Sequence, residues 1–316
     1  MGAKVVALCG GVGGAKLAYG LSRVLPPDEL SIIVNTGDDF QHLGLSICPD
    51  IDTVMYTLAD IAHEGQGWGR ADEQWTTMEE IERLGGETWF KLGDRDIALH
   101  LLRTQSLASG ESLTTVTAQL TKRFGIRDAI LPMSNDPVRT MVETDEGELA
   151  FQDYFVRRRC EPKVRALRYA GAQQARLAPE VLRALEDENL RGVIVCPSNP
   201  YLSIAPILAV ADLRERLKQL SAPVFAVSPI VGGNALKGPA AKMMRELGAH
   251  AGALDIARMY ADFDDALLAD SQDAALENQH NDTDPRLLFG NIVMTSRDHR
   301  ITLARECLSH LDRLRL

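Results

Sequence analysis

The sequence predicts an α/β protein built on a doubly wound, mainly parallel sheet in three layers. Three features predict it. A short apolar run, KVVALC from residue 4, stops at a glycine cluster and restarts as a helix. A second run, LSIIVN, repeats that strand-then-helix order. After residue 175, apolar runs again alternate with amphipathic stretches, as parallel strands joined by crossover helices require.

In chain order, KVVALC and LSIIVN are strands, followed by helices over roughly 14–25 and 51–63. In the second helix Ile51, Val54, Met55, Leu58 and Ile61 recur at helical spacing and form one apolar face. Residues 64–127 change character: they carry all three tryptophans (Trp68, Trp75, Trp89) and stretches such as DIALHLLRTQ, which predict a helical insertion. DAILPM is a short strand, and RTMVET and GELAFQDYF flank Asp145-Glu146-Gly147 as a β-hairpin. Then come strand RGVIVCP, helix LAVADLRERLKQL, strand APVFAVSP and helix GPAAKMMRELG. DALLAD and NIVMTS are expected to be strands, RITLARECLSHLDRL the closing helix, and 277–285 a loop. Nothing marks a linker, so residues 1–316 read as one domain with the insertion inside it.

Composition narrows the function. Hydrophobic content of 45% and charged content of 25% are those of a soluble globular chain. A formal net charge of −10 argues against nucleic acid or an anionic membrane as partner, yet allows a local pocket for one phosphorylated molecule. Cys9, Cys48, Cys160, Cys196 and Cys307 are scattered without a CxxC pair, and the histidines form no HxxxH set, which disfavours zinc and disulfides. KVVALC is too short for the apolar core of a signal peptide, and no run reaches the length of a membrane span. A cytoplasmic protein is expected.

In a doubly wound sheet the ligand lies beyond the carboxyl ends of the strands, so the loops there carry the chemistry. The stretch CGGVGGAKL places Gly10, Gly11, Gly13 and Gly14 before Lys16, where backbone N–H groups and the helix dipole suit a phosphate. Glycines that only relieve crowding are the plain alternative. A Walker A loop does not fit, since Ala15 precedes Lys16 and Leu17 follows it. Nor does the dinucleotide fingerprint, which needs a glycine where Lys16 stands and an acid where the second strand ends in Asn35. PSNPYLS and SPIVGGNALKGPAAK, with Lys237 and Lys242, add two more strand-end loops rich in donors. Three such loops point to a nucleotide or to more than one phosphate.

Asp38 and Asp39 follow the second strand, and Asp50 and Asp52 open the next helix. Some serve as caps, Asp50 after Pro49 above all. As a group they suit magnesium, which takes a few carboxylates and leaves other positions to water and phosphate. Lys91-Leu92-Gly93-Asp94-Arg95-Asp96 is the densest charge cluster with apolar flanks.

GGVGGAKL, NTGDDF, CPDIDTVMY, KLGDRDIA, LPMSNDPVRT, PSNPYLSI and SPIVGG…KGPAAKMM stand in the order found in one family. Over nearly its whole length the chain resembles the 2-phospho-L-lactate transferases of deazaflavin coenzyme F420 biosynthesis. The resemblance implies a Rossmann-like core with a helical subdomain, a magnesium-dependent transferase and a homodimer. The implied reaction moves a phospholactyl, phosphoenolpyruvyl or phosphoglyceryl group from a guanosine-diphospho-linked donor to the primary hydroxyl of the deazaflavin Fo, releasing GMP. Carried over by position, Asp52, Lys91 and Arg95 fall on the Fo side. Gly10, Gly11, Gly13, Gly14, Lys16, Asn35, Thr36, Ser198, Asn199 and Pro200 fall on the donor phosphate and nucleotide side. Asp38 and Asp52 are the metal and catalytic candidates. The alternative is a nucleotide-sugar-binding regulator resembling the gluconeogenesis factors, which share the glycine loop and sheet; the KLGDRD run and the acids of CPDID favour the enzyme.

Overall fold

A computed structural model describes residues 3–63, 65, 69–235, 238–279 and 285–315. Seven parallel strands form the central sheet: β1 (Lys4–Cys9), β2 (Leu30–Val34), β3 (Ala129–Pro132), β4 (Leu190–Val195), β5 (Val224–Val227), β6 (Ala266–Asp270) and β7 (Arg286–Gly290). Their order across the sheet is β7-β6-β5-β4-β1-β2-β3, with every pairing parallel. The chain winds outward from β1 to β3, then returns to β4 on the other side of β1. That reversal leaves a crevice at the carboxyl ends of β1 and β4.

Strand periodicity builds the three layers. Val5, Ala7 and Cys9 face one way with Ile32, Val34, Ile194 and Phe225. They pack on α1 (Gly11–Val24), α2 (Pro49–Leu58) and the C-terminal helix Arg297–Leu314. Val6 and Leu8 face the other way with Ile33, Val193, Val195 and Ala226, against Val181, Leu213, Leu217 and Ile256. Both faces are covered, which is why the strands read as continuous apolar runs.

Between α2 and β3 lie α3 (Thr76–Arg83), α4 (Asp94–Ala108) and α5 (Leu113–Arg123). The hairpin about Asp145 pairs Arg139–Thr144 with Gly147–Ala150, and a third strand, Val164–Ala170, joins it antiparallel. Phe40–His42 and Leu45–Ile47 form a further small hairpin in what the sequence presents only as a loop.

Two expected elements are corrected. The last strand is RLLFG, residues 286–290, paired with β6, whereas NIVMTS is the irregular connection to the C-terminal helix. The stretch 208–220 is not one helix: Ala205–Leu208 and Leu213–Gln219 are separate, broken where Ala211 takes a φ of +46°. Of the expected loop at 277–285, residues 280–284 lie outside the described residues, as do Trp68 and Lys237.

Candidate active site

The glycine cluster packs on the loop after β4. A Cβ at Gly13 would lie 2.3 Å from the carbonyl oxygen of Pro197, and one at Gly14 would lie 2.4 Å from Ser198 Oγ. A Cβ at Gly10 would lie 2.5 Å from an Asp50 oxygen. Gly11 takes a φ of +62°, a conformation that favours glycine. Close approach therefore accounts for three of the four glycines. The first anion met by α1 belongs to the chain itself: the Gly11 N–H donates to Asp50 Oδ1 at 2.7 Å, and the Gly10 N–H to Ser198 Oγ at 3.2 Å. Asp50 thus caps α1 rather than its own helix, whose capping position, Cys48, makes no side-chain cap and which opens on Pro49.

Asn35 organises the next layer. Its amide nitrogen donates to Asp38 Oδ1 at 3.0 Å and to Asp50 Oδ2 at 2.9 Å, and its oxygen accepts the Gly37 N–H at 2.7 Å. Asn199 likewise accepts the N–H groups of Tyr201 and Leu202, starting the turn at Pro200. Burial, then the charges of Asp50 and Asp39, push the Asp38 carboxyl well above its usual range. Burial pushes Asp50 up to about 6, against the opposing hydrogen bonds from Asn35 and Gly11. Asp39 rises to about 7 by burial, opposed by the Cys48 thiol, Arg139 and Arg103. Asp39 Oδ1, Thr36 Oγ1 and Thr140 Oγ1 are buried without a hydrogen-bond partner among the described residues. These acids are stacked closely enough to want a proton or a cation, and polar atoms beside them remain open.

Asp52 has a partner the sequence does not announce. Arg103 of α4, wholly buried, grips both of its oxygens, Nη1 to Oδ2 at 3.0 Å and Nη2 to Oδ1. His100 Nδ1 lies 3.7 Å from Asp52 Oδ2, and burial draws this imidazole down to about 4. Burial alone would lower Arg103, but the Asp52 charge, its hydrogen bonds and the neighbouring Cys48 and Tyr56 together outweigh it and keep the guanidinium charged. One turn earlier on the same face of α4, Asp96 accepts the Tyr56 hydroxyl at 2.6 Å, and burial raises Asp96 to about 6. Asp52 is therefore a member of a buried ion pair, and the four acids divide: Asp38 and Asp50 share Asn35, while Asp52 belongs to Arg103. The signal for this was a polar stripe, Asp96, His100 and Arg103, at helical spacing beside Leu99.

Lys91 and Arg95 are exposed at the start of α4. The Arg95 N–H donates to Glu73 at 2.9 Å, and Asp94 accepts the Thr77 N–H at 3.0 Å. Lys16 Nζ donates to the Met294 carbonyl at 2.9 Å, toward the connection before the C-terminal helix. Lys242 is removed from the glycine loop: it bonds the Tyr154 hydroxyl, the Pro162 carbonyl and Glu246. Among the described residues no three histidine, cysteine or acidic side chains converge as a metal set, and no helix is long and apolar enough to cross a membrane.

Comparison with known proteins fits this arrangement to a family. Residues 5–291 match the family described as 2-phospho-L-lactate transferase CofD. The chain is 41% identical to a 2-phospho-L-lactate transferase of Methanosarcina mazei, over 86% of this chain and 89% of that one. It is 46% identical to a phosphoenolpyruvate transferase of Kitasatospora aureofaciens, over 85% and 86%, and 40% identical to one of Streptomyces griseus, over 99% of both. A solved structure from Bacillus halodurans, a member of the UPF0052 family, superposes with a TM-score of 0.62 at 14% identity, covering 98% of this chain and 99% of that one, a likeness of fold. The chain belongs to the 2-phospho-L-lactate transferase CofD family and is a transferase.

Proposed function

We propose that the protein transfers the phospho-acid group of a guanosine-diphospho-linked three-carbon acid to the primary hydroxyl of the deazaflavin Fo, releasing GMP, in coenzyme F420 biosynthesis. The observation that carries this is the convergence, at the crevice between β1 and β4, of the glycine loop, the Asn35 cluster and the Asn199 turn with acids that continue to the insertion. The donor's diphosphate lies along Gly10–Gly14, Thr36 and Ser198–Pro200; Fo lies on the Asp52, Lys91 and Arg95 side.

In the transfer, the Fo hydroxyl oxygen forms a bond to the phosphorus bearing the acid, the bridging P–O bond breaks, and GMP keeps that electron pair. The hydroxyl proton passes to a carboxylate of the Asp38–Asp39 pair. Magnesium, when bound, neutralises charge on the diphosphate. Asp38 fits it, because the crowded negative charge there would be relieved, and the open Asp39 Oδ1 and Thr36 Oγ1 adjoin. Asp52, with both oxygens on Arg103, fits a metal poorly, so its part is to hold the acceptor side in place. A cytoplasmic homodimer completes the proposal.

The test is GMP release from a guanosine-diphospho acid with and without Fo. Release that depends on Fo supports the transferase; donor binding with no release under either condition favours the regulator. Lys91→Ala should raise the KM for Fo while leaving donor affinity close to normal, and equal losses for both substrates would count against the division of the site.

A further inference from the structure

The stretch LPMSNDPVRT brings Arg139 to the acids of the site without giving it one of them as a partner. Its strand, Arg139–Thr144, docks on the loop after β2. The Thr140 N–H donates to the Gly37 carbonyl at 2.6 Å, and a Cβ at Gly37 would lie 2.8 Å from Thr140 Oγ1. Thr140 is buried and Arg139 half-buried. The Arg139 charge opposes the effect of burial on both Asp38 and Asp39, so the guanidinium stands near them. Yet its one hydrogen bond among the described residues runs from Nη1 to the carbonyl of its own neighbour, Val138, at 2.7 Å, and it forms no ion pair there.

That sets Arg139 apart from comparable arginines in this protein. Arg70, Arg158, Arg191, Arg214 and Arg216 are half-buried as well, and each meets a carboxylate at 3.9 Å or closer. A half-buried guanidinium has lost part of its hydration, and a carboxylate with charge-assisted hydrogen bonds restores it. Thr140 supplies an independent observation: it is 2% exposed, and its Oγ1 is buried with no hydrogen-bond partner among the described residues. A guanidinium without an acid and a hydroxyl without a partner, on adjacent residues, are both donors and so complement an anion.

We propose that Arg139 receives the carboxylate of the three-carbon acid on the donor, with the Thr140 hydroxyl as a second hydrogen-bond donor. This rests on the function proposed above and names the residue that selects the acid. In phospholactyl and phosphoenolpyruvyl groups the carboxylate is bonded to the carbon that carries the ester oxygen, so it enters the site with the reacting phosphorus. It is thereby brought against Asp38 and Asp39, where one more negative charge is unfavourable without a cation. Arg103 is committed to Asp52, which leaves Arg139 to supply that charge. Its planar fork matches a carboxylate with two parallel hydrogen bonds, a geometry that an ammonium cannot offer. Every acid named above carries a carboxylate, so Arg139 selects the class and does not choose among its members.

The test measures binding of three probes to the full chain in the presence of magnesium. They are guanosine diphosphate, guanosine-diphospho-L-lactate, and the isopropyl ester of guanosine diphosphate, in which a methyl group replaces the carboxylate. The wild type should bind the lactate compound about tenfold or more tightly than the isopropyl ester, as a charge-assisted pair implies. Arg139→Gln should bring that ratio close to one while guanosine diphosphate binds nearly as before. Arg139→Lys keeps the charge and loses the fork, so its ratio should fall between, and it carries the test if the glutamine variant does not fold. A ratio that survives in both variants overturns the proposal, as does a loss shared equally by all three probes, which marks a structural or phosphate-binding role. A wild type that releases GMP to Fo but binds both esters alike overturns this inference and leaves the proposed function standing. A wild type that releases no GMP from the lactate compound with Fo overturns the function, and that failure shows before any variant is made.

Discussion

Replacing Arg103 with methionine tests how the insertion is tied to the core. The guanidinium is fully buried and makes two hydrogen bonds to Asp52, itself 5% exposed, across 51 residues of sequence. Arg103→Met leaves a buried carboxylate with no counter-charge, and removing one member of such a pair costs about 3–5 kcal/mol. Asp52→Asn strands the guanidinium instead and should cost a similar amount, so this change is not a silent swap of one helix cap for another. In Asp52→Leu/Arg103→Met neither charge remains, and the double variant should be more stable than either single one. Urea denaturation at neutral pH, without ligands, of the wild type, Asp52→Leu, Arg103→Met and the double variant gives the coupling energy, expected at about 2 kcal/mol or more. A loss below about 1 kcal/mol for Arg103→Met, or single losses that simply add, would show that the pair contributes nothing specific. Turnover of Asp52→Asn then needs correcting for the fraction folded before any chemical role is assigned to it.

The remaining predictions concern close approach, capping and pH. Gly13→Ala should destabilise the protein by about 1–3 kcal/mol, because its Cβ falls on the Pro197 carbonyl. Gly11→Ala meets no close neighbour and carries only the positive-φ penalty of about 1–2 kcal/mol; thermal melting in which Gly11→Ala is clearly the worse would contradict the packing account. Asp50→Ala should cost about 1 kcal/mol through loss of the cap on α1, read in the same melts, and an unchanged melting temperature would refute it. Asp96, raised from 3.8 to about 6, binds its proton more readily in the folded state, so its contribution to stability grows as pH falls from about 6 to about 4. Relative to Asp96→Asn, the wild type should gain up to roughly 3 kcal/mol across that window, and a constant difference in urea denaturation over the same range would refute the assignment.

The sheet was legible because its strands are buried on both faces and bounded by turns, and the alternation with helices fixes parallel winding. NIVMTS and RLLFG are adjacent apolar runs of similar length, and only the ladder with β6 decides between them. The strands at 40–47 and 164–170 were hidden for another reason. They are short or half exposed, so neither a continuous apolar run nor clean alternation marks them. In the site, residues at strand ends were legible, since topology alone sends them to one edge. Arg103, His100 and Tyr56 were not, because their partners lie 40 or more residues away and depend on how α4 docks. Asp50 shows the same limit: its sequence position suggests a cap for α2, and only the approach of α1 makes it the cap of a different helix.

Helix geometry explains how one short segment serves two sides of the site. Asp50 and Asp52 both lie in the first turn of α2, where the positive end of the dipole favours two acids. Residues two apart on a helix point about 200° from each other, so two such carboxylates cannot share a neighbour. Asp50 therefore turns to Gly11 and Asn35 at the β1–β4 crevice, and Asp52 turns to Arg103 in the insertion. Ile51 and Val54 pack between them into the core and fix the rotation of the helix. Asp52 thus ties α2 to α4, while Asp50 on the same turn holds the start of α1. The β1–β4 crevice and the insertion are thus joined through a single turn of helix, and the Arg103–Asp52 ion pair is the link between that turn and α4.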